Sequence, residues 1–92
     1  MIRMSQTTKE LKKKAKLLEP LVRIGREGLS PGQISEIMRQ LRQKGLVKVK
    51  MLKVYYADKG RKQAGKEIAS KTGSELVDVV GGIIVLSKET ES

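Results

Sequence analysis

The chain has 92 residues with neither cysteine nor histidine, and its 20 lysines and arginines outnumber 10 acidic residues to give a formal net charge of +10. That length supplies one hydrophobic core, so a single domain is expected over residues 1–92, and a hydrophobic fraction of 38% with clear periodicity argues for a folded module. The absence of cysteine excludes disulfides and thiolate metal sites, and no run of about 18 apolar residues is present to span a membrane.

The N-terminal stretch "MIRMSQTTKELKKKAK" lacks the apolar segment of a secretory signal, so a cytoplasmic location is expected. Charge is unevenly spread. Residues 1–53 hold 14 basic and 4 acidic side chains, a net of +10, whereas residues 54–92 hold 6 of each. A one-sided positive field attracts polyanions.

The first element is "TTKELKKKAKLLEP". Thr7 and Glu10 have capping-box spacing, Leu11, Ala15 and Leu18 form an apolar stripe, and Pro20 stops the helix. Lys12, Lys13, Lys14 and Lys16 cover most of the rest. The apolar face is thin for a membrane-lying helix, so packing on the domain with lysines outward is expected. "LVRI" (21–24) follows as a short strand, with Val22 and Ile24 on one face and Arg23 on the other.

After the loop "GREGLS", a second helix is expected, with Ser30 as N-cap, Pro31 in its first position and Gln33 completing a capping box. Ile34, Ile37, Met38 and Leu41 form its buried stripe, and Gly45 is its stop. "LVKVKMLKV" (46–54) reads as a strand, with Val47, Val49 and Met51 facing one way and Lys48 and Lys50 the other. A strand–helix–strand unit of this length predicts parallel pairing.

A third helix is expected over 58–73, capped by Asp58 and stopped by Gly73, although Gly60 and Gly65 each cost it roughly 1 kcal/mol relative to alanine. "ELVDVV" and "IIVLS" then form a hairpin across Gly81-Gly82. Residues 83–86 are apolar on both faces, as befits a central strand, and "KETES" is a frayed polar tail. The order αβαβαββ describes an α/β two-layer sandwich with a small four-stranded mixed sheet. Arg23, Lys48 and Lys50 share the sheet face opposite Val22 and Val49, a face left partly open.

Catalysis finds little support. Histidine and cysteine, the usual bases, thiol nucleophiles and transition-metal ligands, are missing, and the carboxylates are scattered. No metal, cofactor or small-molecule substrate is implied. The glycine loop admits two readings. Gly25-Arg26-Glu27-Gly28 is a plain turn, or it is a corner where backbone amides and Arg26 approach phosphate at the start of a helix.

Arg23, Lys48, Lys50, Lys12, Lys13 and Lys16 strengthen the second reading, although each lysine alone also reads as a solvated position. Six such contacts would give a log–log salt slope of about −4 to −5. Tyr55 and Tyr56 are the only aromatics, too few for a row of base-stacking platforms, and they read as core or loop anchors.

Taken together, the basic helix ending in Pro20, "LVRIGREGLSPGQISEIMRQLRQKGLVKVKM" and "IASKTGSELVDVVGGIIVLSK" resemble the CRM domain, particularly its stand-alone YhbY-like form, over residues 7–88. The resemblance implies an RNA-binding module with a fold like the C-terminal domain of a translation initiation factor. Stand-alone members are associated with precursors of the large ribosomal subunit, and plant relatives with group II intron splicing. The family's G-x-x-G loop, implicated in RNA contact, falls on Gly25, Arg26, Glu27 and Gly28, with Ser30 following. Glu27 departs from the usual basic loop.

The expected function is therefore non-catalytic RNA binding, with ribosomal RNA or a large-subunit precursor as partner. Two rivals are an Alba-like chromatin protein, also basic with a similar element order, and a basic adaptor docking on an acidic protein.

Overall fold

The computed structural model describes residues 8–88, which form α1 (Thr8–Ala15), β1 (Val22–Ile24), α2 (Pro31–Lys44), β2 (Leu46–Met51), α3 (Lys53–Tyr56), α4 (Arg61–Thr72), β3 (Ser74–Val80) and β4 (Ile83–Lys88). One sheet holds all four strands in the order β1-β2-β4-β3. As the strand–helix–strand unit requires, β1 and β2 are parallel, with Val22 beside Val49, Arg23 beside Lys50 and Ile24 beside Met51. β4 is central and antiparallel to both neighbours, which explains why its side chains are apolar on both faces.

Alternation along the strands sorts the core. Val47, Val49 and Met51 of β2 and Ile84 and Leu86 of β4 meet Ile37 and Leu41 of α2 and Ala64, Ile68 and Ala69 of α4. This is the expected α/β sandwich. The intervening residues Leu46 and Val85 face the other way and are covered by Ala15, Leu11 and Leu18 with Val77.

The basic first helix therefore adds a partial third layer, over the sheet face expected to stay partly open. Its apolar stripe has no other surface to bury against, and burying those leucines outweighs leaving the face bare. α1 ends at Ala15, and Lys16, Leu17 and Leu18 then donate to carbonyls three residues back. This tighter turn keeps Leu18 in the apolar cluster. Thr7, proposed to cap this helix, lies outside the described residues.

The segment after β2 differs from expectation. The strand ends at Met51, and Leu52 donates its N–H to the Ile24 carbonyl at 2.8 Å before the chain turns into α3. Lys53 and Val54 are thus helical. Asp58 does not cap the next helix. α4 begins at Arg61, preceded by Gly60 at φ +90°, with no side-chain cap. A backbone that only glycine adopts readily separates α4 from α3, so the expected helix starts at Arg61 rather than Asp58, and α3 is an additional short helix outside the expected range. Gly65, costly for helix propensity, has a packing reason: a Cβ there would meet Ile84 at 3.1 Å and Leu76 at 3.2 Å. α4 lies so close to the sheet that a methyl group there would push the Ile84 and Leu76 side chains back by a few tenths of an ångström.

Candidate functional site

The glycine loop joins the end of β1 to the start of α2. Gly28 donates to the Gly25 carbonyl at 2.9 Å, closing a four-residue turn with Arg26 and Glu27 at its tip. Gly28 holds φ +79°, while Gly25 does not need a positive φ. Leu52 fills the space beside Gly25, where a Cβ would lie 3.3 Å from its side chain.

Beyond the turn, the Ser30 hydroxyl accepts from the Gln33 N–H at 3.1 Å, and the Gln33 side chain accepts from the Ser30 N–H at 3.2 Å. That is the predicted capping box. The same Gln33 amide also donates to the Arg23 carbonyl at 2.9 Å. One side chain therefore pins both ends of the loop, a role for Gln33 that the capping pattern alone did not reveal. Ser30 is occupied by its cap.

Arg26 and Glu27 are exposed, and neither forms an ion pair among the described residues. Glu27 is therefore not neutralised by Arg26. Residues 25–31 and Gln33 line a shallow concavity of about 620 Å³.

Tyr55 is half-buried beneath the loop, and a Cβ at Gly28 would sit 3.9 Å from its ring. Lys59 lies over that ring at 4.9 Å from the centroid and also contacts Glu67 Oε1 at 2.7 Å. Burial raises the Tyr55 pKa above the ordinary 10.0, so the phenol is neutral at physiological pH. Tyr56 packs near Gly82. Both tyrosines thus serve as anchors, Tyr55 for the loop and Tyr56 for the hairpin.

On the α1 face of the sheet, Arg23 and Lys50 are register partners immediately before the loop. Arg23 is exposed, Lys50 half-exposed, and neither makes an ion pair among the described residues. Lys48 shares their face by alternation, but its Nζ donates to the Leu18 carbonyl at 3.0 Å in a partly buried setting. Its ammonium fastens the α1–β1 connection. Lys12 approaches Asp78 of β3 at 3.7 Å, whereas Lys13, Lys14 and Lys16 are exposed and enter no ion pair among the described residues. The structure thus brings together the loop, Arg23 and Lys50, and turns Lys48 and Lys12 toward partners within the fold.

Among the described residues, no three of the Asp and Glu side chains converge as a metal site, and no helix is long and apolar enough to cross a membrane. The arrangement offers unpaired cations and a braced loop, which is chemistry for holding an anion.

The chain is 38% identical over 81 residues to the "Probable RNA-binding protein MJ0652" of Methanocaldococcus jannaschii, a match covering 88% of this chain and 60% of that protein. It is 31% identical over 81 residues to the "Probable RNA-binding protein YqeI" of Bacillus subtilis, covering 88% of this chain and 82% of that protein. The chain thus spans less than two thirds of the archaeal relative.

The fold is similar to the solution structure of "the hypothetical protein SAV1595 from Staphylococcus aureus, a putative RNA binding protein", with a TM-score of 0.72, 30% identity, and coverage of 92% of this chain and 86% of that one. Residues 4–88 match the CRS1 / YhbY (CRM) domain, and the chain belongs to that family.

Proposed function

We propose that this protein is a non-catalytic RNA-binding module that acts on ribosomal RNA or a precursor of the large ribosomal subunit during ribosome assembly. The observation that carries RNA binding is the pairing of Arg23 with Lys50 directly before the Gly25–Gly28 turn, with Arg26 exposed at its tip. Contacts of this kind follow phosphates rather than reading base edges. Family membership and the names of the two relatives support the same reading. The ribosomal target rests on the family resemblance of the sequence.

Replacing Arg23 and Arg26 together by alanine tests the interface. Affinity for structured RNA should fall and the log–log salt slope should flatten by about 1.4 to 1.8, with the melting temperature nearly unchanged. Equal wild-type affinity for duplex DNA and structured RNA at matched salt would instead favour a chromatin role. Crosslinking in cells followed by sequencing of the attached RNA tests the ribosomal target directly: recovery without enrichment of ribosomal RNA precursors would refute it.

A further inference from the structure

The second half of the sequence is electrically neutral as a sum, with six bases and six acids, but not in space. Lys59, Arg61, Lys62 and Lys66 line a concavity of about 470 Å³ beside the first turns of α4, with Val79 of β3 in its wall and no carboxylate among its lining residues. Among the described residues, Lys59 alone of these four has an ion-pair partner, Glu67. Arg61, Lys62 and Lys66 are exposed and enter no ion pair among the described residues. Lys62 and Lys66 are four residues apart and neighbours on one helix face, where like charges repel. A polyanion spanning them would relieve that repulsion.

This groove is connected to the glycine loop through one side chain. The Tyr55 ring lies beside Gly28, where an added Cβ would reach its edge at 3.9 Å, and carries Lys59 over its face, and Lys59 is also a wall of the groove. An exposed cation at the loop tip, Arg26, is thus linked by Gly28, Tyr55 and Lys59 to the unpaired cations of α4.

The adjoining edge strand disfavours an extended peptide as the occupant. Among the described residues β3 pairs only with β4, but its register shifts between Leu76 and Asp78, and the Asp78 carboxylate accepts the Val79 N–H at 3.0 Å. The bulge and this local bond interrupt the regular row of donors that an added strand would need.

We infer that the α4 groove is a second phosphate-binding surface for the same RNA that contacts the glycine loop, with Arg61, Lys62 and Lys66 as its phosphate contacts. This rests on the RNA-binding reading above and extends the interface into the half of the chain whose charges cancel. The RNA backbone passes from the loop over Lys59 and into the groove, so the footprint is longer than the loop alone provides.

The test is fluorescence anisotropy with a labelled RNA stem-loop carrying a single-stranded 3′ extension, across about 50 to 200 mM salt. The full chain is compared with a Lys62→Gln/Lys66→Gln variant and with Arg26→Ala. The groove variant should bind at least about tenfold more weakly near 0.1 M salt, and its log–log slope should flatten by about 1.4 to 1.8, the value for two lost phosphate contacts. Its melting temperature should be unchanged or higher. If the groove variant keeps wild-type affinity and slope while Arg26→Ala weakens binding, the groove inference is overturned and the RNA reading stands. Weaker binding at an unchanged slope, or with a lowered melting temperature, overturns it as well by assigning the lysines a structural role. Failure of the wild-type chain to bind the RNA removes both readings.

Discussion

Gly28 faces the ring of Tyr55 at a distance that would put an added Cβ 3.9 Å from the ring carbon Cε1. That spacing leaves room for a methyl group, so the demand for glycine comes from the backbone at φ +79°. Gly28→Ala should therefore lose about 1 to 2 kcal/mol, the cost of a left-handed alanine. Tyr55→Ala should lose about 2 kcal/mol through the half-buried ring. Tyr55→Phe should be close to neutral, because the hydroxyl makes no hydrogen bond among the described residues and the ring beneath Lys59 remains. Urea unfolding decides the series; wild-type stability of Gly28→Ala would contradict the turn geometry.

Lys48 and Lys50 look interchangeable in "LVKVKM" and should separate on mutation. Lys48 donates to the Leu18 carbonyl, so Lys48→Met should cost about 1 to 2 kcal/mol of stability and change RNA affinity little. Lys50 has only Arg23 as its charged register neighbour. Lys50→Met should shift stability by no more than about 0.5 kcal/mol and weaken RNA binding several-fold. The reverse pattern in melting and binding measurements would exchange the two assignments.

Glu27 is an exposed carboxylate without an ion-pair partner among the described residues, at the tip of a loop otherwise flanked by cations. Close to phosphate it weakens binding, so Glu27→Lys should tighten RNA binding several-fold at low salt and steepen the salt slope by about 0.7 to 0.9. An unchanged affinity in a titration would place this position outside the RNA contact.

Local chemistry made much of this structure legible. Ser30, Pro31 and Gln33 declare the start of α2, and Gly45 its end. The alternation of Val47, Val49 and Met51 with Lys48 and Lys50 fixes the faces of β2, and Gly81-Gly82 marks the hairpin between β3 and β4. The short helix α3 directly after β2 was less accessible. "KVYYADKG" carries no periodic signal strong enough to separate α3 from a strand end, and the break depends on the tertiary bond from Leu52 to Ile24.

The candidate site was legible as residue types but not as partners. No local pattern shows that the Lys48 ammonium reaches Leu18, that Gln33 reaches back to Arg23, or that Tyr55 supports Gly28. Summing charge over residues 54–92 likewise hides the local run of Lys59, Arg61, Lys62 and Lys66, and only the fold shows that they line one concavity.

Two glycines occupy close approaches of different severity. A Cβ at Gly82 would lie 2.7 Å from the Met51 carbonyl oxygen, a backbone atom whose own residue donates to the Gly82 carbonyl. A Cβ at Gly65 would meet only side-chain carbons of Ile84 and Leu76 at 3.1 to 3.3 Å. Gly82→Ala should therefore lose about 2 to 3 kcal/mol, because backbone must move. Gly65→Ala should lose less, about 1 kcal/mol, since improved helix propensity offsets part of the crowding. Equal losses in urea unfolding would mean that α4 is no easier to displace than the sheet.

The Lys59–Glu67 pair gives the stability a predictable pH signature. The hydrogen bond from Lys59 holds the Glu67 carboxyl below its ordinary 4.5, and the same bond raises the Lys59 ammonium above 10.5. A depressed carboxyl pKa stabilises the folded state above the unfolded value, and that contribution is lost as pH falls through the folded value. The raised lysine contributes fully below its unfolded pKa and loses its contribution as pH rises through the folded one. Both contributions are therefore present at neutral pH, and both are small because the groups are open to solvent. In Lys59→Gln, the Glu67 midpoint measured by carboxyl NMR titration should rise toward 4.5, and the acid-side decline in melting temperature should become shallower. Glu36 provides the internal control. Arg39 lowers its pKa through a separate hydrogen bond, so its midpoint should not move. A Glu67 midpoint unchanged by the substitution would remove Lys59 as the cause.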